Sequence, residues 1–111
     1  MKILIADKFE SFGIEALKKL ADQVTCEPEL KDDSLTKRVA EFDPTVLIVR
    51  STKVQADTLK AAKQLKFIIR AGSGVDNIDV KAATERGVKV ANCPGMNAVA
   101  VAELVLGHLL N

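Results

Sequence analysis

Thr45-Val46-Leu47-Ile48-Val49 is a β-branched and almost wholly apolar run, and it decides the fold class. A strand with one solvated face would alternate apolar and polar residues, whereas this run is apolar on both faces. The preceding Asp43-Pro44 ends the segment before it, because the residue before a proline is pushed out of the helical region. The stretch therefore predicts a central strand of a parallel sheet with helices on both sides.

Similar strand patterns recur on both sides of this run and alternate with helical patterns. Strands are predicted at residues 2–6, 23–27, 45–49, 66–70 and 88–92. Helices are predicted at residues 11–20, 32–42, 57–65, 79–86 and 98–110, with Ser11 as the cap of the first. This alternation predicts an α/β fold, a flavodoxin-like three-layer αβα architecture with a five-stranded parallel sheet in the order 2-1-3-4-5. The polar second strand then lies at an edge.

The composition excludes several classes of protein. The chain has 111 residues, one domain's worth, and its formal net charge of +1 favours neither nucleic acid nor a membrane surface as partner. No apolar run approaches the ~20 residues that span a bilayer. Cys26 and Cys93 form no CxxC pair and His108 is close to neither, which indicates reduced thiols, no metal site and a cytoplasmic protein.

The last predicted helix, residues 98–110, has only two polar residues, Glu103 and His108. A helix that is apolar almost all round must be buried or must contact a partner. We expect it to fold back over the sheet and complete a single domain. The alternative is a homodimer through residues 98–110, and both can occur together.

The carboxyl ends of parallel strands lie at one edge of a sheet, where ligands bind in this architecture. The third and fourth strands bring three cations and a glycine-flanked loop to that edge, which suits a small anion because arginine binds carboxylate and phosphate through paired hydrogen bonds. The predicted site residues are Arg50, Ser51, Lys53, Arg70, Ala71, Gly72, Ser73 and Gly74. The alternative interpretation is a tight turn with solvated arginines. Position 77 is Asn, so the loop lacks the third glycine of a dinucleotide fingerprint.

Residues 70–104, which read RAGSGVDNIDVKAATERGVKVANCPGMNAVAVAEL, carry a resemblance to a known family. Together with LIVRSTK at residues 47–53 and the opening KILIADKF, they resemble the D-2-hydroxyacid dehydrogenases, in their D-3-phosphoglycerate dehydrogenase branch. The resemblance covers essentially the whole chain. It implies a substrate-binding lobe at residues 1–96 and a helix at residues 97–111 that, in relatives, crosses to the NAD-binding domain.

The resemblance also implies roles for single residues. Arg50 and Arg70 match arginines that face the charged groups of the substrate. Backbone N–H groups around Ala71, Gly72 and Ser73 match a loop that holds the substrate carboxylate, and Ser73 also matches a position that touches the nicotinamide of NAD. Asn97 matches the hinge between the two domains.

The implied function is substrate binding in an NAD-dependent 3-phosphoglycerate dehydrogenase of serine biosynthesis. In the family, the phosphate-binding GxGxxG and the catalytic arginine, glutamate and histidine come later than residue 111, so the 111 residues are expected to be inactive alone and to bind no NAD. His108 does not match the catalytic histidine, and polar residues of relatives are replaced by Ala98 and Ala100.

Two alternatives to substrate binding are a signalling domain and a chain without a ligand. A receiver-type signalling domain shares the fold, but it needs an aspartate where the third strand ends, and Arg50 stands there. An excised chain made for folding or evolution work, with no ligand, is the second alternative. Asp7, Asp76 and Asp79 are interpreted as strand-end, turn and cap residues rather than catalytic ones.

Overall fold

The structure is a computed structural model, and it describes residues 1–72, 74, 76–93 and 98–109. The strands are β1 (Lys2–Ile5), β2 (Gln23–Cys26), β3 (Val46–Val49), β4 (Phe67–Arg70) and β5 (Lys89–Asn92). The helices are α1 (Ser11–Lys18), α2 (Asp32–Phe42), α3 (Ala56–Ala61), α4 (Val80–Glu85) and α5 (Ala98–Leu109). Each predicted element is present.

The five strands form one parallel sheet in the order β2-β1-β3-β4-β5, which confirms the predicted flavodoxin-like architecture. In the register, Ile5 lies beside Cys26 on one side and Ile48 on the other. After β1 the chain forms β2 on one side of it, and then crosses to form β3 on the other side of β1. The carboxyl ends of β1 and β3 therefore flank the point where the direction of winding reverses.

The alternate residues of the central strands fill two cores, one on each face of the sheet. All four residues of β3 are buried, as its sequence predicts. On one face Leu4, Leu47 and Ile68 pack with residues from α2, α3 and α4. On the other face Ile3, Ile48 and Phe67 pack with residues from α1 and α5. The edge strand β2 has no fully buried residue, in agreement with its polar sequence.

Several helix boundaries differ by one to four residues from the sequence-based expectation, and the cap of α1 and the end of α3 are the clearest cases. Ser11 is the first helical residue rather than the cap, and Glu10 is the N-cap without a side-chain hydrogen bond, so the cap prediction was wrong. The third helix ends at Ala61 because Ala62 is extended, which lets Leu65 turn into the core. Asp79 does cap α4, because its carboxylate accepts a hydrogen bond from the Ala82 N–H at 3.0 Å.

Helix α5 lies against the same face of the sheet as α1. Val101 and Val105 are fully buried in the core of that face, while Val99 is 53% and Leu106 44% exposed. Cys26 and Cys93 are both free thiols. None of the helices in the described part of the chain is long and apolar enough to cross a membrane.

Candidate anion-binding site

The carboxylate of Asp7 is the centre of the hydrogen bonds at the carboxyl edge of the sheet. Its Oδ2 accepts from three consecutive backbone N–H groups, those of Arg50 at 3.0 Å, Ser51 at 2.8 Å and Thr52 at 3.1 Å. The Thr52 hydroxyl also lies 3.0 Å from this oxygen and donates to the Ala6 carbonyl at 2.8 Å. The Lys8 N–H donates to Oδ1 at 3.1 Å. Asp7 therefore ties the end of β1 to the turn after β3.

Three N–H groups that converge on one point form a concave anion site of the kind called a nest. In this fold the reversal point between β1 and β3 is where ligands commonly bind. Here the chain supplies the anion itself. Partial burial of Asp7 opposes its ionisation, but the hydrogen bonds from Ser51, Arg50 and Thr52 outweigh burial and hold the pKa of the carboxyl below its ordinary value.

Arg50 is held by its backbone, while its side chain is exposed. Its N–H donates to Asp7, and its carbonyl accepts a hydrogen bond from Nε of Arg70 at 2.8 Å. The backbone of Arg50 is thus hydrogen-bonded at both its N–H and its carbonyl. Among the residues that the structure describes, none bonds the Arg50 guanidinium, which leaves all of its donors for a ligand.

Arg70 is used differently, because its guanidinium fastens the neighbouring turn. Nε binds the Arg50 carbonyl, and the Nη1 group donates to the Gly74 carbonyl at 3.2 Å. A Cβ on Gly72 would lie 3.4 Å from the Arg70 Cζ atom, which is ordinary van der Waals contact, so the guanidinium folds directly over this part of the loop. Gly74 has a φ of +77°, a conformation that glycine adopts without strain. The structure therefore brings Arg50, Arg70, Gly72 and Gly74 together, and their role in binding a substrate stays a prediction.

The backbone donors of this loop are partly occupied. The Ala71 N–H donates to the Val49 carbonyl at 2.8 Å, and the Gly72 N–H donates to the Arg70 carbonyl at 3.0 Å. Their predicted contact with a substrate carboxylate would require these bonds to be exchanged, so that role stays a prediction. Ser73, the predicted neighbour of the nicotinamide, and Asn97, the predicted hinge, lie outside the described residues.

A second set of hydrogen bonds joins the turn after β3 to the segment before α4. The Asn77 side chain donates from Nδ2 to the Thr52 carbonyl at 2.7 Å, while Val54 and Ile78 form an isolated parallel bridge. The Asn77 Oδ1 atom is buried and accepts no hydrogen bond from the described residues. These contacts fix the two turns relative to each other without using either arginine.

Ser51 and Lys53 lie on the other side of the Arg50 turn. With Asp7 and Thr52 they line an open groove of about 750 Å³ at the carboxyl ends of β1 and β2. Residues 28–32 form the remaining wall, which carries Glu29, Lys31 and Asp32. Neither arginine lines this groove. The structure therefore separates the predicted site into an arginine rim beside β4 and a groove of mixed charge beside β1.

Asp7, Thr52 and Asn77 were absent from the predicted site. The signal for Asp7 is its position directly after a buried strand, but that position alone predicts only a strand-end residue. The pKa of the nearby Cys26 thiol is raised by partial burial and by Glu29, Asp7 and Glu27, so this thiol is poorly nucleophilic at neutral pH. Within the described ranges no His, Cys, Asp and Glu residues cluster as a metal site would need.

Comparison with known proteins places the chain in a class. The sequence pattern of the D-isomer specific 2-hydroxyacid dehydrogenase catalytic domain matches residues 3–105. The chain belongs to this family.

Individual members of the family show which enzymes the chain is similar to. A D-3-phosphoglycerate dehydrogenase of Archaeoglobus fulgidus is 40% identical over 111 residues, which is 99% of this chain and 21% of the relative. A hydroxypyruvate reductase of Thermotoga maritima is 54% identical over 89 residues, which is 79% of this chain and 28% of the relative. The chain thus spans about a fifth of the length of the first of these curated relatives and just over a quarter of the second.

A solved structure supports the same assignment. The NAD⁺-bound 3-phosphoglycerate dehydrogenase of Entamoeba histolytica superposes with a TM-score of 0.74 at 32% identity. The match covers 96% of this chain and 37% of the other.

Proposed function

We propose that these 111 residues form the substrate-binding lobe of an NAD-dependent 3-phosphoglycerate dehydrogenase of serine biosynthesis. The observation that carries the proposal is Arg50, whose side chain is exposed while its backbone N–H and carbonyl are both hydrogen-bonded. The fixed backbone limits the directions in which the side chain can leave the turn, which lowers the cost of ordering its guanidinium on a carboxylate or phosphate. Curated relatives over nearly the whole chain are named for this activity.

The same proposal holds that these residues bind substrate without oxidising it. Oxidation of a 2-hydroxyacid needs a hydride acceptor and a base for the hydroxyl proton. The one carboxylate bonded to the Arg50 turn is Asp7, whose Oδ2 is already occupied and whose pKa is lowered by backbone hydrogen bonds after burial is overcome. It is a poor base for this reaction.

The loop after β4 does not fit a dinucleotide, so no step through NAD is assigned to it. A dinucleotide fingerprint needs a third glycine at position 77, where Asn77 instead binds the Thr52 carbonyl. Helix α4, which follows, has only six residues. We therefore expect no NAD to bind to these residues.

We also propose that the protein is cytoplasmic, because its two cysteines are expected to be reduced thiols.

The test is a titration of the ¹⁵N-labelled protein with 3-phosphoglycerate, followed by amide chemical shifts. We expect shifts confined to residues 50–53 and 70–74 and a Kd on the order of 1 mM, since half of the cleft is supplied elsewhere in relatives. Arg86→Ala, an arginine at the opposite edge of the sheet, is the matched control and should bind equally. No shift at a ligand concentration of ~20 mM would favour the alternative of a chain without a ligand.

Hydroxypyruvate is a second candidate ligand, because the hydroxypyruvate reductase of Thermotoga maritima has the higher identity over its matched region. It carries a carboxylate but no phosphate. A titration in which hydroxypyruvate binds and 3-phosphoglycerate does not would select this function.

The proposal also includes α5, which we expect to close the single domain and to pair weakly with a second copy. Val99 and Leu106 expose apolar surface while Val101 and Val105 are buried. Light scattering coupled to size-exclusion chromatography should show dimers at high concentration, and Leu106→Lys should return the protein to a monomer. A wild-type protein that is monomeric at every concentration would contradict the dimer.

A further inference from the structure

We propose that Asp7 is a positioning residue, whose carboxylate fills the nest of residues 50–52 and thereby fixes Arg50 and Arg70 for anion binding. The inference rests on the proposed function, because it assumes that the two arginines bind the substrate anion. It assigns to Asp7 a role beyond that of a residue at the end of a strand.

The first step of the argument is the number of contacts made by one carboxylate. Four N–H groups donate to Asp7, and three of them are consecutive N–H groups of the turn that carries Arg50. The Thr52 hydroxyl lies 3.0 Å from the same carboxylate oxygen. A turn held at three successive peptides has a fixed direction, so the Arg50 side chain leaves it in a fixed direction as well. Hydrogen bonds to a charged acceptor contribute more than neutral ones.

The second step is the connection to Arg70. The peptide between Arg50 and Ser51 donates from the Ser51 N–H to Asp7 and accepts at the Arg50 carbonyl from Arg70 Nε. A peptide is planar, so a change at its N–H side also moves its carbonyl. Asp7 therefore acts on the Arg70 guanidinium through a single intervening peptide.

The third step concerns where the ligand binds. The nest at the end of β3 would itself attract a phosphate or carboxylate if it were empty. Because Asp7 occupies it, the anion is left with the side-chain donors on the β4 side. Asp7 thus separates the mixed-charge groove, which it lines, from the arginine rim.

A bystander role for Asp7 predicts the opposite sign. If its negative charge merely lay near the site, removing that charge would strengthen the binding of an anion. If Asp7 positions the arginines, removing its charge weakens binding, because a neutral amide oxygen holds the three N–H groups of the turn less strongly than a carboxylate and the NH2 group would face the Lys8 N–H. The two roles are therefore distinguished by the direction of one change in Kd.

The experiment compares Asp7→Asn with wild type and with Asp33→Asn, which removes the same charge from an exposed position in the first turn of α2. Titration with 3-phosphoglycerate should show about tenfold weaker binding for Asp7→Asn and no weakening for Asp33→Asn. Unchanged or tighter binding in Asp7→Asn would overturn the proposal.

A readout without ligand keeps this test separate from the proposed function. In Asp7→Asn the amide signals of residues 50–52 and the Nε–H signal of Arg70 should move, while signals of the distant strand ends stay in place. If wild type binds no anion, the proposed function fails, and these signals still decide whether Asp7 controls both arginines. An unmoved Arg70 Nε–H signal would refute that control.

Thr52→Val is the second variant, should Asp7→Asn fail to fold. It removes the hydroxyl that lies between the Ala6 carbonyl and the Asp7 carboxylate without changing the charge, so repulsion plays no part. A few-fold loss of affinity is expected, and unchanged affinity would count against the positioning role.

Discussion

The carboxyl ends of β3 and β4 each carry an arginine, Arg50 and Arg70, but the two arginines make different contacts. Arg50 follows β3, and its backbone is hydrogen-bonded while its side chain is exposed. Arg70 is the last residue of β4, and its guanidinium donates to the carbonyls of Arg50 and Gly74. The first arginine is available to a ligand because the second holds its backbone. Equal residue types at neighbouring strand ends therefore differ in whether their loss affects binding alone or binding and stability together.

Arg50→Ala should separate affinity from stability most clearly. It removes a charged, bidentate donor, so binding of 3-phosphoglycerate should weaken by at least about tenfold. The free energy of unfolding should change by less than ~0.5 kcal/mol, because the side chain is exposed. Urea denaturation and the amide titration measure the two quantities. A clear loss of stability would mean that this guanidinium also holds the fold. Arg86→Ala, which removes a hydrogen bond to the Ala62 carbonyl, is the comparison for affinity, which it should leave unchanged.

Arg70→Ala should lower both quantities. The guanidinium bonds to two carbonyls would be lost, which should cost about 1–2 kcal/mol in the free energy of unfolding. Affinity should fall as well, since the Arg50 peptide loses one of its two fixed sides. Arg70→Lys should recover little, because an ammonium cannot reproduce the fork geometry. Full stability in Arg70→Ala would remove the distinction between the two turns.

Thr52→Val tests the link between β1 and the Arg50 turn. The hydroxyl bridges the Ala6 carbonyl and the Asp7 carboxylate, so its loss should lower the free energy of unfolding by about 1 kcal/mol. Thr52→Ser keeps the hydroxyl and should recover most of this amount. Equal unfolding midpoints for the two variants would show that the hydroxyl does not matter.

The smallest expected effect is the dependence of stability on pH. The pKa of Asp7 is lower in the folded protein, so its ionised form stabilises the fold above the ordinary value of 3.8. That contribution should be lost as pH falls below 3.8 through the folded pKa. The stability difference between wild type and Asp7→Asn should shrink over this window, which thermal unfolding at several pH values measures. The difference isolates Asp7 from the carboxyls of Glu29 and Asp32, and a constant difference would be inconsistent with the lowered pKa.

The sequence predicted the architecture because apolar and β-branched runs mark buried parallel strands regardless of their partners. The run at residues 45–49 and the polar edge strand β2 are examples. It also predicted which edge carries the arginines, since all carboxyl ends of parallel strands meet there. It did not predict the hydrogen bonds of Asp7, because the three N–H groups of the turn that it binds lie 43 to 45 residues away in the sequence. No local pattern records which carboxylate fills which nest, or whether an arginine uses its backbone or its side chain.

The two cores also differ in when the growing chain can complete them. A polypeptide is made from its amino end, and domains begin to fold as they emerge. The core under α2, α3 and α4 has its residues once Val88 and Val90 have been added. The opposite core waits for Val101 and Val105 of α5. Until those residues leave the ribosome, one side of the nascent sheet around Ile48 and Phe67 is covered by α1 alone, and this is the surface that a chaperone would meet during translation.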